Sequence, residues 1–210
     1  MTRLRIKKRG ICTVVRKGGQ RPPFFVARSD FVSLCSVHLV DGVNSLALSE
    51  PLRIVQASEP DVPLILQFIR DLAEYEKLAD EVEATEERVR ENLFGASPRA
   101  FCVLAYHDKR PVAFALCYFT YSTFAGLPGL YLEDLFVKPD VRGQGVGREL
   151  LRHLAKLALQ EGCYRIEWAV LHWNKSAIGF YERLGAIPME EWAVYRLSGT
   201  ALSLLAGENH

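Results

Sequence analysis

The sequence predicts one domain of mixed α/β class behind a basic N-terminal extension. Three observations carry this. Strand-like and helical periodicities alternate from Leu52 to Leu197, two neighbouring strand-like runs are joined by a short polar turn, and an apolar β-favouring run at Tyr131–Val137 passes through a glycine-rich loop into an amphipathic helix. With 210 residues, 49% hydrophobic and 24% charged, the chain can bury a substantial core in one domain.

Residues 1–50 read differently from residues 51–210. They are rich in Lys and Arg, interrupted by Gly18-Gly19 and Pro22-Pro23, and show no sustained period of 2 or 3.6, although Phe31 to Val43 has the make-up of a short strand. The expectation is a poorly ordered extension, or a stretch upstream of the natural start. A transit peptide and a nucleic-acid-binding arm are the competing readings of the same basic run. Charge divides the chain in the same place. Residues 1–51 hold 9 Lys/Arg against 3 Asp/Glu (+6), leaving 17 against 22 (−5) for the rest. An acidic domain favours small cationic substrates over nucleic acid. No apolar run is long enough to span a membrane, so no membrane partner is expected. Cysteines 12, 35, 102, 117 and 163 lack metal-binding spacing, which predicts free thiols, no metal, and a reducing, cytoplasmic setting.

The domain begins near Leu52 with the strand LRIVQ. Ser58 suits an N-cap, with Pro60 tolerated and Glu59 and Asp61 favoured in the first turn. Val62, Ile65, Leu66, Ile69, Leu72 and Ala73 then mark one helical face. Thr85 caps a second helix ending near Gly95. Ala100–His107 and Val112–Tyr121 form a hairpin around Asp108-Lys109, and Ser122–Gly129 reads as a loop. After the central strand, Leu150, Leu151, Leu154, Leu157 and Ala158 share a helix face. Tyr164–Leu171 reads as a strand, Asn174–Leu184 as a helix, Trp192–Leu197 as a strand, and the tail from Gly199 as a short helix.

Two motifs carry chemistry. In Arg142-Gly-Gln-Gly-Val-Gly147 the glycines allow close backbone approach, and the helix that follows offers unpaired N–H groups and the positive end of its dipole, which together cradle an anion. No Gly-Lys-Ser/Thr closes the loop, so it is not a Walker loop. Downstream lies HWNKSAIGFYERLGA, His172 to Ala186. An Arg-Gly-x-Gly-x-Gly loop after a strand ending Phe-Val, followed by Asn-x-x-Ala-x-x-Phe-Tyr-x-x-x-Gly, resembles the Gcn5-related N-acetyltransferase (GNAT) superfamily over residues 52–198. Ala73-Glu-Tyr-Glu76, Tyr118-Phe-Thr-Tyr121 and Tyr131-Leu-Glu-Asp134 resemble its diamine subgroup, the spermidine/spermine and thialysine acetyltransferases.

The resemblance implies a mixed, mostly antiparallel sheet with helices on both faces, acetyl-CoA as co-substrate, and a homodimer. It places the pantetheine arm along Leu135, Phe136 and Val137, and the pyrophosphate in the loop with Arg142, Gly143, Gln144, Gly145, Val146, Gly147 and Arg148. Asn174 and Ser176 would contact the coenzyme beyond its thioester, Tyr181 would lie near its sulfur, and Tyr75, Glu76, Glu133 and Asp134 would face the amine. The stretch Pro188–Trp192 is shorter than the subgroup's matching loop.

The implied chemistry sets demands of its own. An alkylammonium with a pKa near ~10.4 must lose a proton, at a cost of about 4.6 kcal/mol at pH 7. Glu133 is the expected route for that proton, directly or through one water, and Tyr181 the expected acid for the departing thiolate. Consecutive strand residues point to opposite faces, so Glu133 and Asp134 share the site only if a bulge intervenes. Cys163 and His172 read as structural. The leading function is therefore direct acetyl transfer, in a ternary complex, to a diamine, polyamine or lysine-like amino acid. The alternatives are a protein or peptide N-acetyltransferase and a non-catalytic acetyl-CoA sensor.

Overall fold

The computed structural model describes residues 52–208. The readings made for residues 1–50, the Phe31–Val43 strand included, lie outside them. Five strands, β1 (Arg53–Gln56), β2 (Phe101–His107), β3 (Arg110–Ser122), β4 (Leu127–Val137) and β5 (Ile166–Trp168), form one sheet in sequence order. The first three pairings are antiparallel and β4–β5 is parallel. A parallel neighbour requires a crossover, and α3 (Val146–Gln160) supplies it.

The central strands are apolar almost without interruption because both faces are covered. On β2, Phe101, Val103 and Ala105 pack with Leu150 and Leu154 of α3, while Cys102 and Leu104 pack against α1 (Val62–Glu76) and α2 (Glu86–Phe94). Phe68 of α1 stacks on Phe114 of β3 at 5.2 Å between ring centroids. Helix α4 (Lys175–Arg183) joins the α3 face through Phe180 and Tyr181. The expected mixed, mostly antiparallel sheet with helices on both faces is what forms.

Local signals act as read. Ser58 donates through its N–H and hydroxyl to Asp61 Oδ2 at 2.8 and 2.7 Å, ahead of α1. The Thr85 hydroxyl oxygen accepts from Arg88 N–H at the start of α2. Asp108 takes φ 56° in the β2–β3 turn. The tail forms α5 (Gly199–Leu205).

Three expectations need correction. Ser122–Gly129 is not all loop, because β3 and β4 stay paired out to Ser122 and Leu127, and only 123–126 turn. Gly129 serves the pairing, since a Cβ there would stand 2.6 Å from Thr120 Oγ1. The strand expected over Tyr164–Leu171 shrinks to Ile166–Trp168, because the chain leaves β4 after Trp168. Trp192–Leu197 forms no strand. Its apolar side chains are exposed (Val194 91%, Tyr195 94%), and a strand exists only when a neighbouring edge takes its backbone hydrogen bonds.

Candidate active site

The site forms where β4 and β5 part. Their pairing ends at Leu132 opposite Trp168, so beyond it β4 presents the edge facing β5 to an open cleft of about 670 Å³. Leu135, Phe136 and Val137 line that cleft from β4, followed by the glycine loop, with Asn174, Ser176 and Tyr181 contributed by the α4 segment.

A bulge shapes the middle of β4. Asp134 pairs with Leu116 and Leu132 with Cys117, which leaves Glu133 without a partner on β3. The extra residue reverses the alternation. Leu130 and Leu132 face α3 before the bulge and Leu135 and Val137 after it, while Phe136 packs on the α1 side. Glu133 and Asp134 therefore both lie on the α1 side and both line the cleft. The conflict between neighbouring strand positions is resolved by this one inserted residue.

Tyr75 and Glu76 reach the cleft from the last turn of α1. Lys77, at φ 62°, ends the helix there. Glu76 thus sits at the negative end of the helix dipole, an arrangement that favours a bound cation. Burial raises its carboxyl above the usual range. Asp134 is affected more strongly: burial first, then the charges of Glu133 and Glu76, push it up to about 6. Glu133 is exposed, and its charge adds to burial in raising the phenol of Tyr118, whose ring stacks on Tyr131 at 5.1 Å. Tyr181 packs on Trp168 (4.9 Å) and Phe180 (5.3 Å). Burial, with the charge of Glu76 adding to it, pushes its phenol up to about 12, so it holds its proton at neutral pH.

The glycine loop fits an anionic group. Gly143 and Gly145 adopt φ 78° and 86°, with nothing within 4 Å of where a Cβ would stand. Gly145 is the N-cap of α3, and no side chain caps the helix's first N–H groups. Arg148 and Arg183 line the same cleft. Gln144 departs from the expected set: its amide donates back to the Asp140 carbonyl at 3.3 Å, so its side chain is spent on the loop itself. Asn174 has a structural duty as well as a place in the cleft, because its Oδ1 accepts from Ala177 N–H and caps α4. Cys163 is a free thiol outside the cleft lining, as are the buried Cys102 and Cys117.

Sequence reading passed over Arg183, Leu72 and Trp173. Arg183 lies seven residues beyond Ser176 and so near the same helical face, a spacing that could have found it. Leu72 has the helical spacing of a core residue and lines the cleft as well. Trp173 packs on Tyr75 at 5.9 Å and carries no local signal of doing so.

One prediction follows from the Asp134 environment. The folded chain holds this proton more tightly than the ordinary value of 3.8 would, so the group's contribution to stability is whole below about pH 3.8 and is lost as pH climbs through about 6. Asp134→Asn removes the buried charge. Its thermal midpoint should exceed the parent's at pH 7.5, by an amount equivalent to at most ~3 kcal/mol, and converge with it towards pH 4.5. Melting both proteins across that range checks this; a midpoint below the parent's at pH 7.5 refutes it.

Comparison with known proteins identifies the family. The chain is 42% identical over 166 residues to the thialysine N-epsilon-acetyltransferase of Bos taurus, covering 74% of this chain and 97% of that protein. To the L-ornithine N5-acetyltransferase of Arabidopsis thaliana it is 29% identical over 198 residues, covering 73% and 87%. A solved integron cassette protein from the mobile metagenome of V. cholerae aligns with a TM-score of 0.64 at 26% identity, covering 74% of this chain and 97% of its own. Residues 66–186 match the acetyltransferase (GNAT) family model. On that match and the 42% identity, the chain belongs to the GNAT family and is an N-acetyltransferase acting on small amines.

Proposed function

We propose that this protein transfers the acetyl group of acetyl-CoA to the terminal primary amine of a small dication-like substrate, a diamine, polyamine or lysine-like amino acid, within a ternary complex. The carrying observation is the bulge that gathers Glu133 and Asp134 beside Glu76 on one side of a cleft whose other parts are a free strand edge and a glycine cradle. The relatives named for thialysine and ornithine point the same way. The domain assignment is part of the reading, with catalysis in residues 51–210.

Each part of the cleft has a task. The free β4 edge at Leu135–Val137 holds the pantetheine arm as an added strand would be held, and its N–H groups polarise the thioester carbonyl. Gly143–Gly147 and Arg148 hold the diphosphate. Acetyl-CoA supplies the activated acetyl group. Glu76 holds the cation at the substrate's remote end, and Glu133, in contact with solvent, takes the proton of the reacting ammonium and passes it out. Asp134, with an affinity for protons near neutrality, buffers that transfer. Tyr181, protonated at working pH, donates to the departing sulfur.

Gly145→Val tests the cradle. Space around the residue is open, so the penalty comes from φ 86°, which costs a residue with a side chain ~1–2 kcal/mol or more. The KM for acetyl-CoA should rise at least ~5-fold with the fold intact. Unchanged coenzyme affinity would take the loop out of the site. The reaction class is tested by coenzyme A release over a panel of lysine, thialysine, ornithine, diamines and lysine-containing peptides. Turnover confined to peptides would favour the protein-acetylating alternative.

The homodimer and the cytoplasmic location belong to the same proposal. Trp192, Val194 and Leu197 lie exposed without a sheet partner in the single chain, and a second copy is the occupant that would cover them. Three free thiols among the described residues suit a reducing compartment.

A further inference from the structure

We propose that Arg110 is a positioning residue for the coenzyme. Through its ion pair with Asp140 it fixes the entry of the glycine loop against β3, and so sets the spacing between the diphosphate cradle and the free β4 edge. This rests on the function proposed above and adds to it a residue outside the cleft.

The coenzyme has to satisfy both parts of the cleft at once, the β4 edge with its pantetheine arm and the loop with its diphosphate. The join between them is short. β4 ends at Val137, the single turn Pro139–Val141 follows, and the loop begins at Arg142. The far end of the loop is set by α3, where the Glu149 N–H donates to the Gly145 carbonyl at 3.0 Å. Between the two, Gly143 and Gly145 have no side chains to pack and the widest choice of backbone angles, so the shape of the loop depends on how firmly its entry is held.

Several ties hold the entry. Val141 is buried in the core on the α3 side of the sheet, in the same cluster as Val146 and Leu150. The Lys138 N–H donates to the Val112 carbonyl at 2.9 Å, just past the last β3–β4 pair, Ala113 opposite Val137. Arg142 folds back, its Nε donating to the Val137 carbonyl at 2.8 Å and its guanidinium carbon 4.3 Å from the centre of the Tyr75 ring. Arg110, the first residue of β3, donates through Nη1 to Asp140 Oδ2 at 2.5 Å. Asp140 carries that last tie further. Its carboxylate takes Arg110 and its carbonyl accepts the Gln144 amide at 3.3 Å, so β3, the turn and the middle of the loop are linked in series through one residue. A buried plug such as Val141 fixes where the turn sits, and the two bonds to Asp140 fix how it is rotated. The hydrogen bond from Arg110 also holds the Asp140 carboxyl below its usual range, so the pair stays ionised at neutral pH. Both side chains are half-exposed, so replacing Arg110 strands no buried charge and leaves the fold intact.

The test separates the coenzyme from the rest of the reaction. Calorimetry gives the Kd of coenzyme A for the full chain, and steady-state kinetics give kcat and the KM values for acetyl-CoA and 1,5-diaminopentane. In Arg110→Ala the Kd and the acetyl-CoA KM should rise ~2–5-fold, the whole worth of a half-exposed pair, while kcat and the diamine KM stay at the parent values. Arg110→Glu, which sets two carboxylates against each other, should exceed that loss. Combining it with Asp140→Arg restores the pair with its charges reversed and keeps the backbone carbonyl that holds Gln144, so the Kd should return to within ~2-fold of the parent. High salt should narrow the gap between the parent and Arg110→Ala. Coenzyme affinity unchanged in both single variants overturns the proposal. So does a loss that falls equally on kcat or the diamine KM, which marks a general disturbance, or a reversed pair as weak as Arg110→Glu. If the parent does not bind coenzyme A, the functional reading fails and the role of Arg110 with it, an outcome distinct from a parent that binds the coenzyme no better than its variants do.

Discussion

Tyr181→Phe is expected to lower kcat by ~10²–10⁴-fold with little change in coenzyme affinity. The substitution keeps the ring that packs on Trp168 and Phe180 and removes only the hydroxyl. Burial pushes that phenol up to about 12, which makes it a weaker acid than an ordinary tyrosine but keeps it protonated, as a donor must be, across the working pH range. A thiolate leaving group needs a proton, or a hydrogen bond close to one, as the carbon–sulfur bond breaks. Phe180 cannot serve, and Cys163 lies outside the cleft lining. Loss of an interaction made in the transition state should lower kcat and kcat/KM together. Full activity in the phenylalanine variant would return Tyr181 to a packing role. A fall in thermal midpoint alongside the rate would trace the loss to a disturbed α4 rather than to chemistry, so both are measured.

The parts of this site that are legible in sequence are those governed by local rules. The glycine loop must precede a helix because Gly143 and Gly145 adopt backbone angles that other residues avoid, and the helix begins one residue later. Asn174 declares the start of α4 because its side chain caps that helix. What stays hidden depends on pairings between distant segments. The bulge at Glu133 is one unpaired residue in an otherwise regular strand, and no periodicity in YLEDLFV reveals it. Yet it decides that Asp134 shares a face with Glu133 and is buried enough to hold its proton near neutrality. The Tyr75–Trp173 and Tyr75–Arg142 contacts join residues 98 and 67 positions apart in the chain. The strand expected over Trp192–Leu197 has the composition of a strand and no edge to pair with, and composition alone cannot supply the edge.

The substrate preference should be large enough to read in a single experiment. Three carboxylates, Glu76, Glu133 and Asp134, interact across the amine end of the cleft, and Asp134 is raised by burial first and then by repulsion from the other two. A cation placed among them relieves that repulsion, but one ammonium answers only part of it. The reacting nitrogen must also give up its charge before attack, so its own ion pair cannot supply binding energy in the transition state. A second, remote cation keeps its charge throughout and can hold the substrate in register while the first is deprotonated. A retained charge-assisted contact is worth about 1.5–3 kcal/mol, or roughly 10–150-fold in kcat/KM. Diamines and lysine-like amino acids should therefore be acetylated at least ~10-fold better than monoamines of matched length, and added salt should narrow the gap as it screens the partly exposed carboxylates. Glu76→Gln should remove most of the preference while leaving monoamine turnover near the parent value, because Glu76 acts on the held end and Glu133 on the reacting one. Measuring kcat/KM for both substrate series in both proteins separates the cases. Monoamines that match diamines in the parent would sink the dication reading, and a preference untouched by Glu76→Gln would move the remote subsite to Glu133 and Asp134.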